Sequence, residues 1–384
     1  MSLAWWVAAL FSLCAWTGLT ILFHGYFRRE LALENIAPST DENLPALAVI
    51  VPALNEQDTV RPAMRSLLAS DYPELTVIAV DDRSTDGTGQ ILDELAAGTH
   101  RLTVFHVSEL PAGWLGKNHA LWIGASFART PWMLFTDADV HFDPTALRRA
   151  VGFARDHNLD HLALLPQVVL RGFWETLFVS FFGVIFSARF RPWDVRNPKS
   201  SAYIGVGAFN LVRTDTYRRM GGHAALPLEV ADDVKLGKLL KRGGARCDVI
   251  ASRELVQVRW ISGLGGAING LTKNMFAGLE FRPERVAASC VMLFFFAVWP
   301  AVGAFAGPIE PRLICCAAWL MMAAAAAAPS LTMGISPLIG LGYPVAGVLI
   351  LYTMLKSMWI TYRQGGVVWR GTLYPLSELR KGVV

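Results

Sequence analysis

Phe135-Thr136-Asp137-Ala138-Asp139-Val140 is the stretch from which the fold of this chain is read. The apolar run Trp132-Met133-Leu134-Phe135, bounded by Pro131 and by two carboxylates, predicts a buried strand that delivers acids at its carboxyl end. That edge is where open α/β sheets hold their ligands. Two aspartates one residue apart on extended backbone point the same way. Together they can hold a hard divalent cation, Mg2+ or Mn2+, through oxygen and leave positions for diphosphate oxygens. An Asp-x-Asp also suits a surface turn, and the motif alone does not decide between the two.

The neighbouring segments repeat the pattern. Ala46 to Val51 is an apolar run ending in Pro52-Ala53-Leu54-Asn55-Glu56, ahead of a helix expected over Thr59 to Leu68. Thr76 to Val80 ends in Asp81-Asp82-Arg83-Ser84-Thr85-Asp86-Gly87-Thr88, where Ser84, Thr85 and Asp86 can cap a helix and Gly87 allows a sharp turn. Leu102 to Val107 reads as a further strand. Strand-then-acid units joined by helical patterns predict a parallel Rossmann-like half-sheet with one continuous ligand edge. Further on, Ala231-Asp232-Asp233-Val234-Lys235-Leu236-Gly237 opens another helix.

In the order and spacing of these motifs the chain resembles the inverting glycosyltransferases of family 2 over residues 45–285. The resemblance implies an α/β architecture, a GT-A Rossmann-like mixed-sheet domain, and here one with transmembrane helices at both ends. It implies a nucleotide-diphosphate sugar as donor, UDP-linked, with Glu56 and Asp82 meeting uridine and ribose. Asp139, supported by Asp137, holds the cation on the diphosphate in this reading, and Asp233, with Asp232 orienting it, is the base at the position where the family carries one. Acids in a first helical turn are also good partners for the helix dipole.

Between the two carboxylate regions lies Pro111-Ala112-Gly113-Trp114-Leu115-Gly116-Lys117-Asn118, a Gly-rich loop leading into a helix. Lys117 there can meet the donor diphosphate as a point charge, or simply stand exposed on a capped helix. Ile204-Gly205-Val206-Gly207-Ala208-Phe209-Asn210 and the later His223 fall where the family lines the acceptor side, so Gly207 and His223 are acceptor-side candidates; His223 touches substrate or caps a loop. Val256-Gln257-Val258-Arg259-Trp260 is similar to the Gln-x-x-Arg-Trp signature of processive members but is one residue short. Arg259 and Trp260 are still donor-site candidates, through a guanidinium fork and a stacking face.

The chain has 384 residues, 53% hydrophobic and only 17% charged. Its mean hydropathy of +0.37 is too high for an ordinary soluble enzyme, so part of it is expected in lipid. Four of the five cysteines, Cys14, Cys290, Cys315 and Cys316, lie in apolar stretches, which argues against a disulfide framework or a zinc site. A net charge of +4, with no basic block interleaved with aromatics, gives no nucleic-acid surface.

Leu3 to Phe23 is uncharged and long enough to span a bilayer, and residues 1–27 are read as a transmembrane anchor rather than a cleaved signal. Arg28 and Arg29 after it put the following domain in the cytoplasm at the inner membrane. Gly172 to Phe190 lies between sheet regions, so it is expected as a core or interfacial helix rather than a span. Gly270 to Gly278 is expected to run to the membrane. Residues 286–362 are read as a membrane region of two to three spans, from Val286 to Gly307, Leu313 to Met333 and Leu338 to Ile360, with a tail over 363–384. Three spans put the tail outside, yet its Arg363, Arg370, Arg380 and Lys381 argue for the inside, so part of Leu313 to Tyr343 is expected to be re-entrant.

Apolar segments before and after the domain make a membrane lipid the expected acceptor, through a hydroxyl or a carboxylate. A processive polysaccharide synthase is the alternative within the enzyme class, and a non-catalytic nucleotide-sugar-binding membrane protein the alternative outside it.

Overall fold

The computed structural model describes residues 3–260 and 262–382. Met1, Ser2, Ile261, Val383 and Val384, which the expected anchor, transferase and tail segments include, lie outside the described residues.

The chain divides into two compact units whose segments alternate along the sequence. One holds Leu31–Val169, Phe190–Trp260 and Arg370–Val384; the other holds Met1–Glu30, Leu170–Arg189 and Ile261–Trp369. The segment 45–285 is thus not one continuous body. Its stretches around Phe173 and after Trp260 group with the apolar helices, and the end of the chain groups with the strands.

The first unit is built on strands β1 (Leu47–Ala53), β2 (Leu75–Asp82), β3 (Leu102–Val107), β4 (Trp132–Phe135), β5 (Val140–Phe142), β6 (His161–Leu165), β7 (Gln167–Val168), β8 (Asn210–Arg213), β9 (Cys247–Ala251) and β10 (Val256–Val258). Seven of them form one sheet in the order β3-β2-β1-β4-β8-β6-β9. Every residue of β1 is buried, as expected of a central parallel strand with both faces covered. The first four strands of that order are parallel, and β8 runs antiparallel to both β4 and β6. The sheet is therefore mixed, and the expected parallel half-sheet is its β3-β2-β1-β4 part. Pairing of Phe135 with Asn210 sets the end of β4 beside the start of β8, and so carries Asp137 to the glycine segment: the Asp137 N–H donates to the Gly207 carbonyl at 3.1 Å. A second sheet, β5-β10-β7, follows the acid motif.

The second unit is helical. Five of its segments, Leu3–Phe27, Phe173–Asp194, Pro283–Phe305, Ile309–Thr332 and Pro337–Gln364, include helices long and apolar enough to cross a membrane, although the last residues of the second belong to the other unit. The helix Phe173–Phe190, expected in the catalytic core or at an interface, groups with the apolar helices, with Phe178 and Phe181 buried and Phe173 and Trp174 exposed. Pro283–Phe305 is interrupted by a π-helical turn at Phe294–Val298. After Ile309–Thr332 the chain folds back: the Trp319 Nε1–H donates to the Leu341 carbonyl at 2.8 Å, and a Cβ on Gly340 would stand 2.6 Å from the Met322 carbonyl oxygen. Residues 333–342 thus lie along the middle of the preceding helix before Tyr343–Gln364 begins.

Candidate active site

Four local devices bring the candidate side chains together. The helix Gly116–Phe127 carries Lys117 at its second residue; β4 ends at Phe135, two residues before Asp137; the Ile204–Ala208 segment passes beside that end; and the helix Asp232–Arg242 starts with two acids. The last of these comes close because Gly205 has no side chain: a Cβ there would stand 1.9 Å from the Asp233 carbonyl oxygen. Gly207 does the same for carboxylates, since its Cβ would lie 2.7 Å from Asp137 Oδ2 and 3.4 Å from Asp233 Oδ2.

The result is a pocket lined by Lys117, Asp137, Gly207, His223, Asp232 and Asp233, with Phe135 and Leu236 among its apolar walls. Lys117 Nζ lies 2.7 Å from Asp137 Oδ1 and 3.7 Å from Asp232 Oδ2. Its side chain is 13% exposed, so it does not stand free on a capped helix. Burial works against its charge, but Asp137, Asp232 and Asp233 outweigh that and hold the ammonium well above its ordinary range. Asp233 accepts from the Gly207 N–H on Oδ2 at 2.7 Å and from the Val234 N–H on Oδ1 at 2.8 Å. Desolvation raises its carboxyl above the ordinary carboxylate range, against the pull of Lys117.

Asp139 stands at the other side of the acid motif. Burial first, then the charges of Asp137 and Glu56, push its carboxyl up to about 7. A carboxylate crowded in this way is relieved by a cation. Among the described residues no group of three or more His, Cys, Asp or Glu side chains is assembled for a metal.

Glu56 and Asp82 occupy the ends of β1 and β2. Glu56 accepts from Thr59 Oγ1 at 2.9 Å, and its N–H donates to Thr88 Oγ1 at 2.7 Å, so the loops after the two strands are stitched together. Asp82 is buried and gripped by its neighbour Arg83, with Nε to Oδ1 at 2.8 Å and Nη2 to Oδ2 at 3.0 Å. His223 is buried, its Nδ1 at 2.8 Å from Tyr217 Oη and its ring against Phe135. Desolvation lowers it to about 3, so it is a neutral imidazole in the pocket wall. Arg259 and Trp260 are not among the residues lining this pocket; Arg259 Nη1 donates to the Val169 carbonyl at 2.6 Å, beside β7.

Several residues of the site escape a reading by motif. Asn210 is buried, its Nδ2 donating to the Asp233 carbonyl at 3.4 Å and its Oδ1 at 2.7 Å from His161 Nε2. An asparagine inside the apolar run Ala208 to Val212 was the available signal. Gly205 was visible only as part of a Gly-x-Gly pair. Arg370 and Tyr374, from the end of the chain, reach Glu56 and the Gly116 N–H at 3.0 and 3.1 Å.

Comparison with known proteins agrees with this geometry. Residues 48–220 match the family model for glycosyl transferase family 2. The chain is 25% identical over 296 residues to a 4,4'-diaponeurosporenoate glycosyltransferase of Staphylococcus haemolyticus, covering 76% of each. A 4,4'-diaponeurosporenoate glycosyltransferase of Staphylococcus aureus is 23% identical over 353 residues, covering 89% of this chain and 92% of the relative. Among solved structures, a mannosyltransferase from Pyrobaculum calidifontis in complex with GDP-Man and Mn2+ superposes with a TM-score of 0.55 at 20% identity, over 92% of this chain and 99% of that one. With the mixed sheet, the pocket at its strand ends and these likenesses together, residues 48–220 are a family 2 glycosyltransferase domain of GT-A fold, and the protein is a glycosyltransferase.

Proposed function

We propose that the protein moves a sugar, with inversion, from a nucleoside diphosphate sugar to a hydroxyl borne by a membrane lipid, at the cytoplasmic face of the inner membrane. The observation that carries this reading is Asp233, whose carboxylate is held by two backbone N–H groups in the same pocket as Lys117 and Asp137. Two backbone donors fix its orientation while its raised carboxyl range favours accepting a proton. Asp232, 3.7 Å from Lys117, holds the ammonium beside it. A UDP-linked donor lies along the ends of β1, β2 and β4 in this reading, with Glu56 and Asp82 on the nucleoside side and Lys117 on the diphosphate. Arg259 and Trp260 lie outside the pocket lining, and a donor role for them is reached only through a ligand that extends toward β7.

Asp139, with Asp137, is the place for Mg2+ or Mn2+, and such an ion neutralises charge on the departing nucleoside diphosphate. The lipid class of acceptor is supported by the names of the relatives and by the apolar helices that precede and follow the strands in sequence. The segments proposed for the anchor, 1–27, and for the membrane region, 286–362, include four of the five apolar helices. Tail residues 370–382 group with the strands, which supports a tail on the catalytic side.

The relatives' names specify a carboxylate acceptor, and this favours a second reading in which the nucleophile arrives already deprotonated. The test is transfer from radiolabelled nucleotide sugars into host lipid extract by detergent-purified protein, with Asp233→Asn alongside. With a hydroxyl acceptor the variant keeps donor binding and loses about 10²-fold or more in turnover. A loss much smaller than that, with label still entering a discrete organic-soluble product, supports the carboxylate. Label confined to long water-soluble material overturns both in favour of a polysaccharide synthase, and no label in any product leaves a binding protein.

A further inference from the structure

The end of the chain lies on the donor edge of the sheet. Arg370 Nη2 is 3.0 Å from Glu56 Oε1, across more than three hundred positions of sequence. Tyr374 is buried, and its hydroxyl accepts from the Gly116 N–H at 3.1 Å, one residue before Lys117. The same hydroxyl is in hydrogen-bond contact with Arg83, the residue that grips Asp82. One short segment thus touches the loop after β1, the loop after β2 and the start of the Lys117 helix.

The backbone holds Arg370 there at some strain. Its φ is +49° and that of Gly371 is +80°, so two successive residues are left-handed and turn the chain sharply. Glycine or asparagine suits the first of these positions better than arginine does. An arginine kept in such a position points to a use for its side chain.

Charge balance says what the use is. Lys117 is already committed to Asp137 and Asp232. Around it stand Asp139, Asp233 and Glu56 as well, and Glu56 is near enough to Asp139 for the two carboxylates to repel. A diphosphate entering such a site needs more positive charge than one committed lysine and one divalent ion supply. The Arg370–Glu56 pair is partly exposed, with side chains 34% and 24% accessible, so it is held weakly and is easily exchanged. A guanidinium fork fits phosphate oxygens two at a time.

We propose that the C-terminal segment Arg370–Tyr374 is a working part of the donor site: Arg370 exchanges Glu56 for the diphosphate when a nucleoside diphosphate sugar binds, while Tyr374 keeps the segment seated on Gly116. This rests on the donor reading given above. The exchange frees the Glu56 carboxylate to accept from a nucleoside hydroxyl, so one ligand satisfies both members of the former pair. Arg370 binds and positions donor; Tyr374 is a positioning residue that acts through the turn.

The experiment uses the full chain in detergent, titrated calorimetrically with UDP, GDP, UMP and GMP in the presence of Mg2+, without any acceptor. Arg370→Gln is expected to weaken binding of the preferred nucleoside diphosphate about tenfold, the worth of one charge-assisted contact, and to change monophosphate binding about twofold or less. Arg370→Lys recovers part of the loss. Tyr374→Phe keeps the ring and moves binding less than Arg370→Gln, but it makes the Arg370–Gly371 bond faster to cut with trypsin. In the wild type, nucleoside diphosphate slows that cut. Wild-type protein that binds neither UDP nor GDP overturns the donor reading and this inference with it. Wild type that binds one of them, with Arg370→Gln binding equally well and with nucleoside diphosphate leaving the tryptic cut after Arg370 of the wild type unchanged, overturns this inference alone.

Discussion

In the apolar unit most buried polar side chains are hydroxyls that answer backbone carbonyls, and the buried carboxylate of Glu175 accepts from the Arg171 and Gly263 N–H groups. Ser12 Oγ donates to the Phe295 carbonyl at 2.7 Å and Trp16 Nε1 to the Phe296 carbonyl at 2.6 Å, both within the π-helical turn Phe294–Val298. At the strand ends of the other unit the polar groups are charged and do not balance. Lys117 faces Asp137, Asp232 and Asp233, and Asp139 stands beside with Glu56. The charged cluster keeps an excess of carboxylate over ammonium, and the proposed cation site rests on that imbalance.

The largest test of this contrast is Lys117→Met. Removing this ammonium takes a partner from Asp137 and Asp232, and for an ion pair with the lysine largely desolvated the cost is about 3 kcal/mol, the low end of the range for buried pairs. Denaturant unfolding in detergent is expected to show that loss, with donor binding abolished. Unfolding at the wild-type midpoint would show that the cluster is solvated and that the contrast is one of appearance only.

A smaller effect separates close packing from open space. In Gly205→Ala the new Cβ meets the Asp233 carbonyl oxygen at 1.9 Å, so the start of the Asp232–Arg242 helix must shift. Overpacking of this kind costs about 1–3 kcal/mol, and turnover falls further because Asp233 moves with the helix. Gly270→Ala, within the helix Gly263–Gly278, meets nothing within 4 Å and is expected to gain about 0.5–1 kcal/mol from helix entropy. Thermal unfolding of the two variants side by side checks the sign of each; equal shifts would mean that the glycine segment has room to yield.

Much of the catalytic unit is written locally. Leu102–Val107 and Trp132–Phe135 are strands as expected, and for Trp132–Phe135 the reason is local, since a short apolar run followed closely by acids has few other uses. β1 and β2 run on to Ala53 and Asp82, since residues past the apolar run stay in the ladder. The direction of β8 is not local: Tyr203 to Val212 announces a strand, but antiparallel pairing with β4 and β6 depends on partners far away in sequence. The pocket gathers Lys117, Asp137, Gly207, His223, Asp232 and Asp233 as one group, and leaves Glu56, Asp82, Asp139, Arg259 and Trp260 outside its lining. The contacts of Arg370 and Tyr374 were invisible because nothing in a tail of mixed polarity says where it docks. The chain leaves the strand-bearing unit at Trp260 and rejoins it at Arg370, with three long apolar helices between, the start of the third folding back onto the second.

The smallest expected effect comes from the apolar side of the contrast. A π-helical turn takes carbonyls off the regular ladder, and in lipid no water replaces the lost donors. Ser12→Ala leaves the Phe295 carbonyl without its side-chain donor, and Trp16→Phe does the same for Phe296 while keeping an aromatic ring in place of the one stacked at 4.3 Å. Hydrogen bonds between membrane helices average about 0.6 kcal/mol, because the separated helices also find partners. Each variant is expected to lose that much in reversible unfolding from a bilayer or mild detergent, with donor binding untouched. The double variant discriminates further, since Phe295 and Phe296 are adjacent and share one turn. If that turn exists only because Ser12 and Trp16 complete it, the second loss is smaller than the first, as the turn has already reverted to α-helix; two equal losses mean that the turn is set by Phe294–Val298 itself and that Ser12 and Trp16 merely answer it.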